Sequence, residues 1–164
     1  MGMIGNLLRV TNTELEDYLK DSSLLEERIY SDEADDAHLL DIDKAWDGIV
    51  FLLTGQCLAE ANHPLVAVLF SGQLVDDEQD LGYGPAHYLL PNQVADLNSQ
   101  IAPITTADLK QRYDATKMTA LGVYPEIWED DDEAFDYLAG YFTSVQQLYR
   151  DAAAKGDAII TFIN

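Results

Sequence analysis

The segment Leu40-Asp41-Ile42-Asp43-Lys44-Ala45-Trp46-Asp47-Gly48 constrains this chain more than any other. It places the carboxylates of Asp43 and Asp47 and an indole directly ahead of Ile49-Val50-Phe51-Leu52-Leu53, a run with little surface to give to water. A polar group in such a setting is either bonded within the fold or turned to a cleft. The pattern predicts a helix from about Lys44 to Thr54, capped by Asp43 or Asp41 and stopped at Gly55. Trp46, Ile49, Val50 and Leu53 recur at helical spacing and form its core stripe. Asp43 and Asp47, with Thr54 in line, lie on one flank. Two readings stay open there: a binding ridge, or Asp43 as a cap and Asp47 paired with Lys44, Arg112 or backbone amides.

A chain of 164 residues that is 48% hydrophobic can bury a core without staples, hiding about 70% of the surface exposed by its unfolded form. Cys57 is the single cysteine and has no internal disulfide partner. The apolar runs at 49–53 and 65–70 are far shorter than the roughly 20 residues that cross a bilayer. The opening Met1-Gly2-Met3-Ile4-Gly5-Asn6 lacks the pattern of a signal peptide and has Asn6 where a myristoylation signal has Ser or Thr. The expected setting is cytoplasmic and reducing, with no membrane contact.

Charge narrows the partners. Thirty acidic residues against nine basic ones give a formal net charge of −21. A phosphate backbone is bound through a basic surface and released counterions, so direct nucleic-acid binding is not expected. A DNA mimic would invert this logic, but an acidic surface more often serves solubility or tolerance of salt.

Along the chain, Ile4–Val10 reads as a strand, followed by a helix from Asn12 with Thr11 and Glu14 as a capping box. Ser22 or Ser23 starts a short helix through Ile29, and Ser31–Asp36 reads as an exposed acidic loop. Pro64–Phe70 is core, as a strand or a helical turn. Asp76–Asp80 imitates a calcium loop but has Leu81 where the tight turn needs glycine and His87 where a bidentate glutamate belongs. Helices are expected from Pro91 to Ile101, from Thr105 or Thr106 to Tyr113 without a completed capping box, and from Ala115 to Leu121. The acidic stretch Glu129–Glu133 precedes the longest helix, which Gly156 ends. Asp157–Ile163, apolar on both faces, reads as an interior strand beside Ile4–Val10.

A second locus is Gly82-Tyr83-Gly84-Pro85-Ala86-His87-Tyr88, where glycines flank an outward ring and a short strand follows at His87–Leu89. Tyr83, His87 and Tyr88 suit either a pocket wall or a structural turn. Tyr124 and Trp128 are candidates to close the same cleft or to pack as core. There is no phosphate loop, no dinucleotide fingerprint and no nucleophile elbow. His38, His63 and His87 are far apart and one cysteine makes no thiolate cluster, so neither a metal nor a cofactor is called for.

The opening Met1–Gly5, the run Leu40–Asp47 with Phe51-Leu52-Leu53-Thr54-Gly55, the turn Gly82–Leu89, Met118 with Val123-Tyr124-Pro125, and Gln147–Arg150 through Gly156 resemble the YfbM-like family of uncharacterised bacterial proteins. The likeness runs in order through nearly the whole chain and implies one YfbM-like domain over residues 1–164. It implies mixed helix and strand with no established activity, and it carries over no catalytic residue. Many members of that family have arginine after Gly-Tyr-Gly-Pro-Ala where this chain has His87, which argues against an anion site that depends on arginine at that position.

The expected architecture is α+β, a mostly helical single domain with a small sheet of N-terminal, central and C-terminal strands. The favoured function is a non-catalytic acidic binding protein, antitoxin-, immunity- or regulator-like, that engages a basic protein partner and is itself a monomer or weak homodimer. The alternative is a small hydrolase or ligand-binding enzyme whose cleft lies between the Asp43/Asp47 helix and the Gly82–Tyr88 turn. The candidate ligand- or partner-binding residues are Asp43, Trp46, Asp47, Tyr83, His87, Tyr88, Tyr124 and Trp128, with catalytic residues unknown.

Overall fold

A computed structural model describes residues 2–31 and 36–164. Four antiparallel strands, β1 (Gly5–Val10), β2 (Leu39–Asp41), β3 (His87–Leu89) and β4 (Ala158–Ile163), form one sheet in the order β2-β1-β4-β3. The helices are α1 (Asn12–Lys20), α2 (Ser23–Ile29), α3 (Trp46–Thr54), α4 (Pro91–Ile101), α5 (Thr106–Arg112), α6 (Ala115–Leu121) and α7 (Asp132–Lys155), with a 3-10 helix at Pro64–Val68. The α+β class and the pairing of the first and last strands agree with the sequence pattern.

Position at the centre of the sheet explains why β4 is apolar on both faces. Ile159 packs with Leu7 into the larger core, formed with α3, α4 and α7. Ala158, Ile160 and Phe162 join Leu8 and Val10 in the smaller core, which α1 and α2 cover through Leu15, Tyr18 and Leu25. The register Leu8↔Ile160 and Val10↔Ala158 aligns these alternating faces. Thr161, the one polar side chain buried in β4, donates its hydroxyl to the Leu69 carbonyl.

Two local expectations change, and one left open is decided. Leu39–Asp41 forms the edge strand β2, so the helix begins only at Trp46; Asp43 has φ 49° and does not cap it. The chain needs those residues to finish pairing with β1, where Gly5 donates to the Asp43 carbonyl and Ile42 donates to the Gly5 carbonyl, each at 2.9 Å. The helix at 106–112 does carry a capping box, made by Thr105 and Asp108, because its cap lies one residue earlier than Thr106. Pro64–Val68 is a 3-10 turn rather than a strand, with Pro64 in its first turn and the His63 Nδ1 accepting from the Leu65 amide. The capping box at Thr11 and Glu14 is present, and Gly55, Gly122 and Gly156 close their helices in the left-handed conformation. Most of the acidic loop expected at Ser31–Asp36 lies outside the described residues.

The helix α7 docks across α3 at Gly48. A Cβ at that position would stand 2.6 Å from a Leu138 methyl and 3.0 Å from the Trp128 ring, so any larger residue there requires Leu138 to shift. At the other end of α7, fully buried Tyr149 donates its hydroxyl to the carbonyl of Val68. Tyr149→Phe leaves that carbonyl without its partner and is expected to cost about 1–3 kcal/mol. Urea denaturation should show a lower midpoint with an unchanged slope.

Candidate functional site

Asp47 lies in the first turn of α3 and is 5% exposed. Its Oδ1 accepts from the Leu58 amide at 2.7 Å and its Oδ2 from the Tyr124 amide at 2.9 Å. Both oxygens are therefore bonded to backbone, and Asp47 pairs with neither Lys44 nor Arg112. Arg112 instead donates from Nη1 to the Leu52 carbonyl at 3.2 Å. Burial pushes the Asp47 carboxyl above its ordinary value, and the amides of Tyr124 and Leu58 pull in the opposite direction.

The neighbouring aromatic groups form a file. Trp46 stacks on Tyr124, with centroids 5.2 Å apart, and meets Phe70 edge-on at 5.8 Å; Phe70 meets His87 edge-on at 5.6 Å. The backbone of Met3 is held beside the stacked pair: its amide donates to the Tyr124 hydroxyl and its carbonyl accepts from the Trp46 indole, both at 2.9 Å. Trp128 is buried and donates its indole N–H to the Val123 carbonyl at 2.8 Å. His87 Nδ1 accepts from the Gly72 amide at 3.0 Å, and burial holds its imidazole below the ordinary value of 6.5. The bond requires the unprotonated nitrogen that burial also favours.

The remaining candidates stand apart. Asp43 faces the other side of the run, where its Oδ2 accepts from the Tyr137 hydroxyl at 2.7 Å while that hydroxyl accepts from the Lys44 amide at 3.1 Å. Burial and the Asp43 charge push the Tyr137 phenol up. Asp43 and Asp47 thus do not share a ridge, and Thr54 donates to the Val50 carbonyl of its own helix. Tyr83 is 53% exposed at the tip of a turn in which Asp80 Oδ1 accepts from the amides of Gly82 and Gly84. Gly82, at φ 126°, passes the chain within 3.2 Å of Asn164 Cα, measured from a built Cβ. Tyr88 is half-buried in β3, and its carbonyl accepts from Ser71 and Gln73.

Sequence reasoning thus gathers His87, Trp46, Asp47, Tyr124 and Trp128 into one packed region but does not foresee Phe70, which joins the two loci. It also misses Tyr137, whose phenol anchors Asp43 from helix α7. One concavity, of 450 Å³, touches this region at Trp128 and is otherwise lined by α6 and Glu129 and Asp130; two others lie farther off. A groove of 280 Å³ lies beside the start of α7, lined by Ile127, Glu129, Asp131, Glu133, Ala134 and Tyr137. Another, of 680 Å³, lies at the far end of α3 from Asp47. Among the described residues, no three His, Cys, Asp or Glu side chains are grouped to hold a metal, and no helix is long and apolar enough to cross a membrane.

Comparison with known proteins places this geometry in context. The sequence matches a family described as a domain of unknown function (DUF1877) over residues 1–162. The crystal structure of YfbM, a protein of unknown function from Escherichia coli, superposes with a TM-score of 0.75 at 18% identity, covering 99% of this chain and 100% of that one. No curated protein matches the chain.

Asp47→Ala strands two amides that have no other acceptor in the fold, and is expected to cost about 2–5 kcal/mol, with Asp47→Asn intermediate because it keeps one oxygen. Chemical denaturation of the three proteins checks the order. For His87, whose folded pKa is depressed, the unfolded chain takes up the proton first. Its contribution to stability is therefore complete above about pH 6.5 and is lost as pH falls below that value. Melting temperatures between neutral and mildly acidic pH should drop more steeply for the wild type than for His87→Asn, which keeps an acceptor for Gly72 and does not titrate.

Proposed function

The chain belongs to the DUF1877 family, a domain of unknown function, and we propose that this member is a non-catalytic binding protein whose acidic surface engages a basic protein partner in the cytoplasm. The observation that carries the reading is the groove beside α7. Glu129, Asp131 and Glu133 surround Ile127, a large apolar side chain 54% exposed to solvent. None of these three carboxylates has a basic partner among the described residues; Lys110 pairs with Asp132 next to them. An apolar anchor flanked by Glu129 and Glu133, with Asp131 capping α7 through the Ala134 amide, is complementary to a segment that presents lysine or arginine around a hydrophobic residue. Such a face supports an antitoxin-, immunity- or regulator-like role, with charge steering the encounter and the apolar contact holding it.

The commitment of Asp47, Trp46, Trp128 and the Nδ1 of His87 to backbone partners supports the same reading. No observation favours the hydrolase alternative, which needs Asp47 or Asp43 as a base with His87 as its acid. A groove-mediated complex should be retained at low salt and released as ionic strength rises. Glu129→Lys with Glu133→Lys should abolish capture from lysate, whereas Asp17→Lys with Glu27→Lys, the same change in net charge on α1 and α2, should leave it intact. Equal loss in both double variants, or no retained protein at low salt, would sink the reading.

A further inference from the structure

Between α6 and α7 the chain runs through residues 126–129 in neither helix, strand nor turn. Among the described residues, the amides of Ile127, Trp128 and Glu129 and the carbonyls of Ile127 and Trp128 have no hydrogen-bond partner. The Glu129 carbonyl is taken, by the Tyr113 hydroxyl at 2.7 Å. Glu126, Ile127 and Glu129 are exposed, so the run lies at the surface. Backbone donors and acceptors left open on an exposed run resemble an unpaired sheet edge, which is a template for a further strand.

The run divides two hollows. Ile127 lines the groove of 280 Å³ beside α7, Trp128 lines the hollow of 450 Å³ over α6, and Glu129 borders both. Successive side chains thus enter different hollows, which is the alternation of a strand. Over α6 the floor is made by Ala115, Thr116, Thr119 and Ala120, short side chains that leave room above the helix. No lysine or arginine lines either hollow, whereas Glu129, Asp130, Asp131 and Glu133 do. Asp131 is used as the cap of α7, and Asp130 also borders the cleft that holds Arg112 and Lys117. Glu129 and Glu133 are therefore the carboxylates not otherwise engaged. Burial, and after it the charges of Asp131, Asp130 and Glu129, push the Tyr113 phenol up, as a negative potential around the run requires.

We infer that residues 127–129 take up an extended basic peptide by strand addition, its backbone paired with the open amides and carbonyls of the run and its lysines or arginines beside Glu129 and Glu133. Alternate side chains of the peptide lodge in the two hollows. This inference rests on the protein-binding reading of the groove and narrows it: the partner presents an unfolded segment rather than a folded surface. Main-chain bonds supply the affinity, while the hollows and the two carboxylates select the sequence.

The probe is an acetylated and amidated peptide of alternating lysine and valine, about six residues long as an ordinary strand is. It is titrated into the full chain by amide NMR beside two analogues, one N-methylated only at the lysines and one only at the valines. A strand turns the amides of alternate residues to its neighbour, so one analogue should bind about tenfold more weakly than the parent while the other keeps its affinity. Saturable shifts should centre on residues 126–131 and on α6. Glu129→Gln with Glu133→Gln should weaken the parent about tenfold, with the rest of the spectrum unchanged. Equal affinity of all three peptides would leave charge as the sole attraction and overturn strand addition while the groove reading survives. Equal loss in both analogues would mark a helical occupant and overturn it too, as would the absence of saturable shifts at 126–131. Capture from lysate that is indifferent to Glu129 and Glu133 would instead remove the underlying reading.

Discussion

Asp47 joins α3, the turn that follows it and the segment at 123–124, because its two oxygens accept from amides 11 and 77 residues away in sequence. Those amides are donors that neither a helix nor the sheet satisfies, and burial makes an unsatisfied donor costly. The carboxylate therefore fixes where the chain re-enters after α6. Tyr124, once placed, stacks on Trp46 and receives the amide of Met3, which sets the approach to β1. One charged group in an apolar helix thereby coordinates the N-terminal strand, the central helix and the distal loop.

Much of this was legible in sequence because the signals are local. The capping box at Thr11 and Glu14, the glycine stops at 55 and 156 and the alternating apolar residues of β4 each follow from short-range chemistry. The strand β2 was not legible: it has three residues, Leu39, Leu40 and Asp41, and takes its conformation from pairing with β1 rather than from any period of its own. The same long-range pairing moved the helix start to Trp46 and turned Asp43 away from capping. For the candidate site, sequence separated the interesting residues from the background but not their partners. Phe70 links His87 to Trp46 across the fold, and nothing in a run of apolar residues marks which one will do so.

The protein divides its charged groups by purpose. Asp43, Asp47, Asp76 and Asp80 accept bonds from Tyr137, backbone amides and Ser22 and serve the fold. The acidic residues at 129–133 stand mostly without basic partners and face solvent. Among the described residues, three of the nine cations are held in ion pairs, Arg28 to Glu14 and Asp36, Arg9 to Asp157 and Lys110 to Asp132. Screening at physiological salt, over a length of about 8 Å, allows these separate patches to coexist on one small surface. Their local chemistry, rather than the net charge of −21, decides what each accepts.

The sheet order β2-β1-β4-β3 has a consequence for biosynthesis. The strand that joins β1 to β3 is β4, at residues 158–163, so the sheet lacks its middle until nearly all of this sequence has been translated. Both cores lean on that strand, through Ile159 on one side and Ile160 and Phe162 on the other. Helices α1 to α7 precede it in the chain, and they can cover one another only in part, since both cores also need that strand. The sheet can close only once β4 is available, which makes its completion a late step set by long-range pairing.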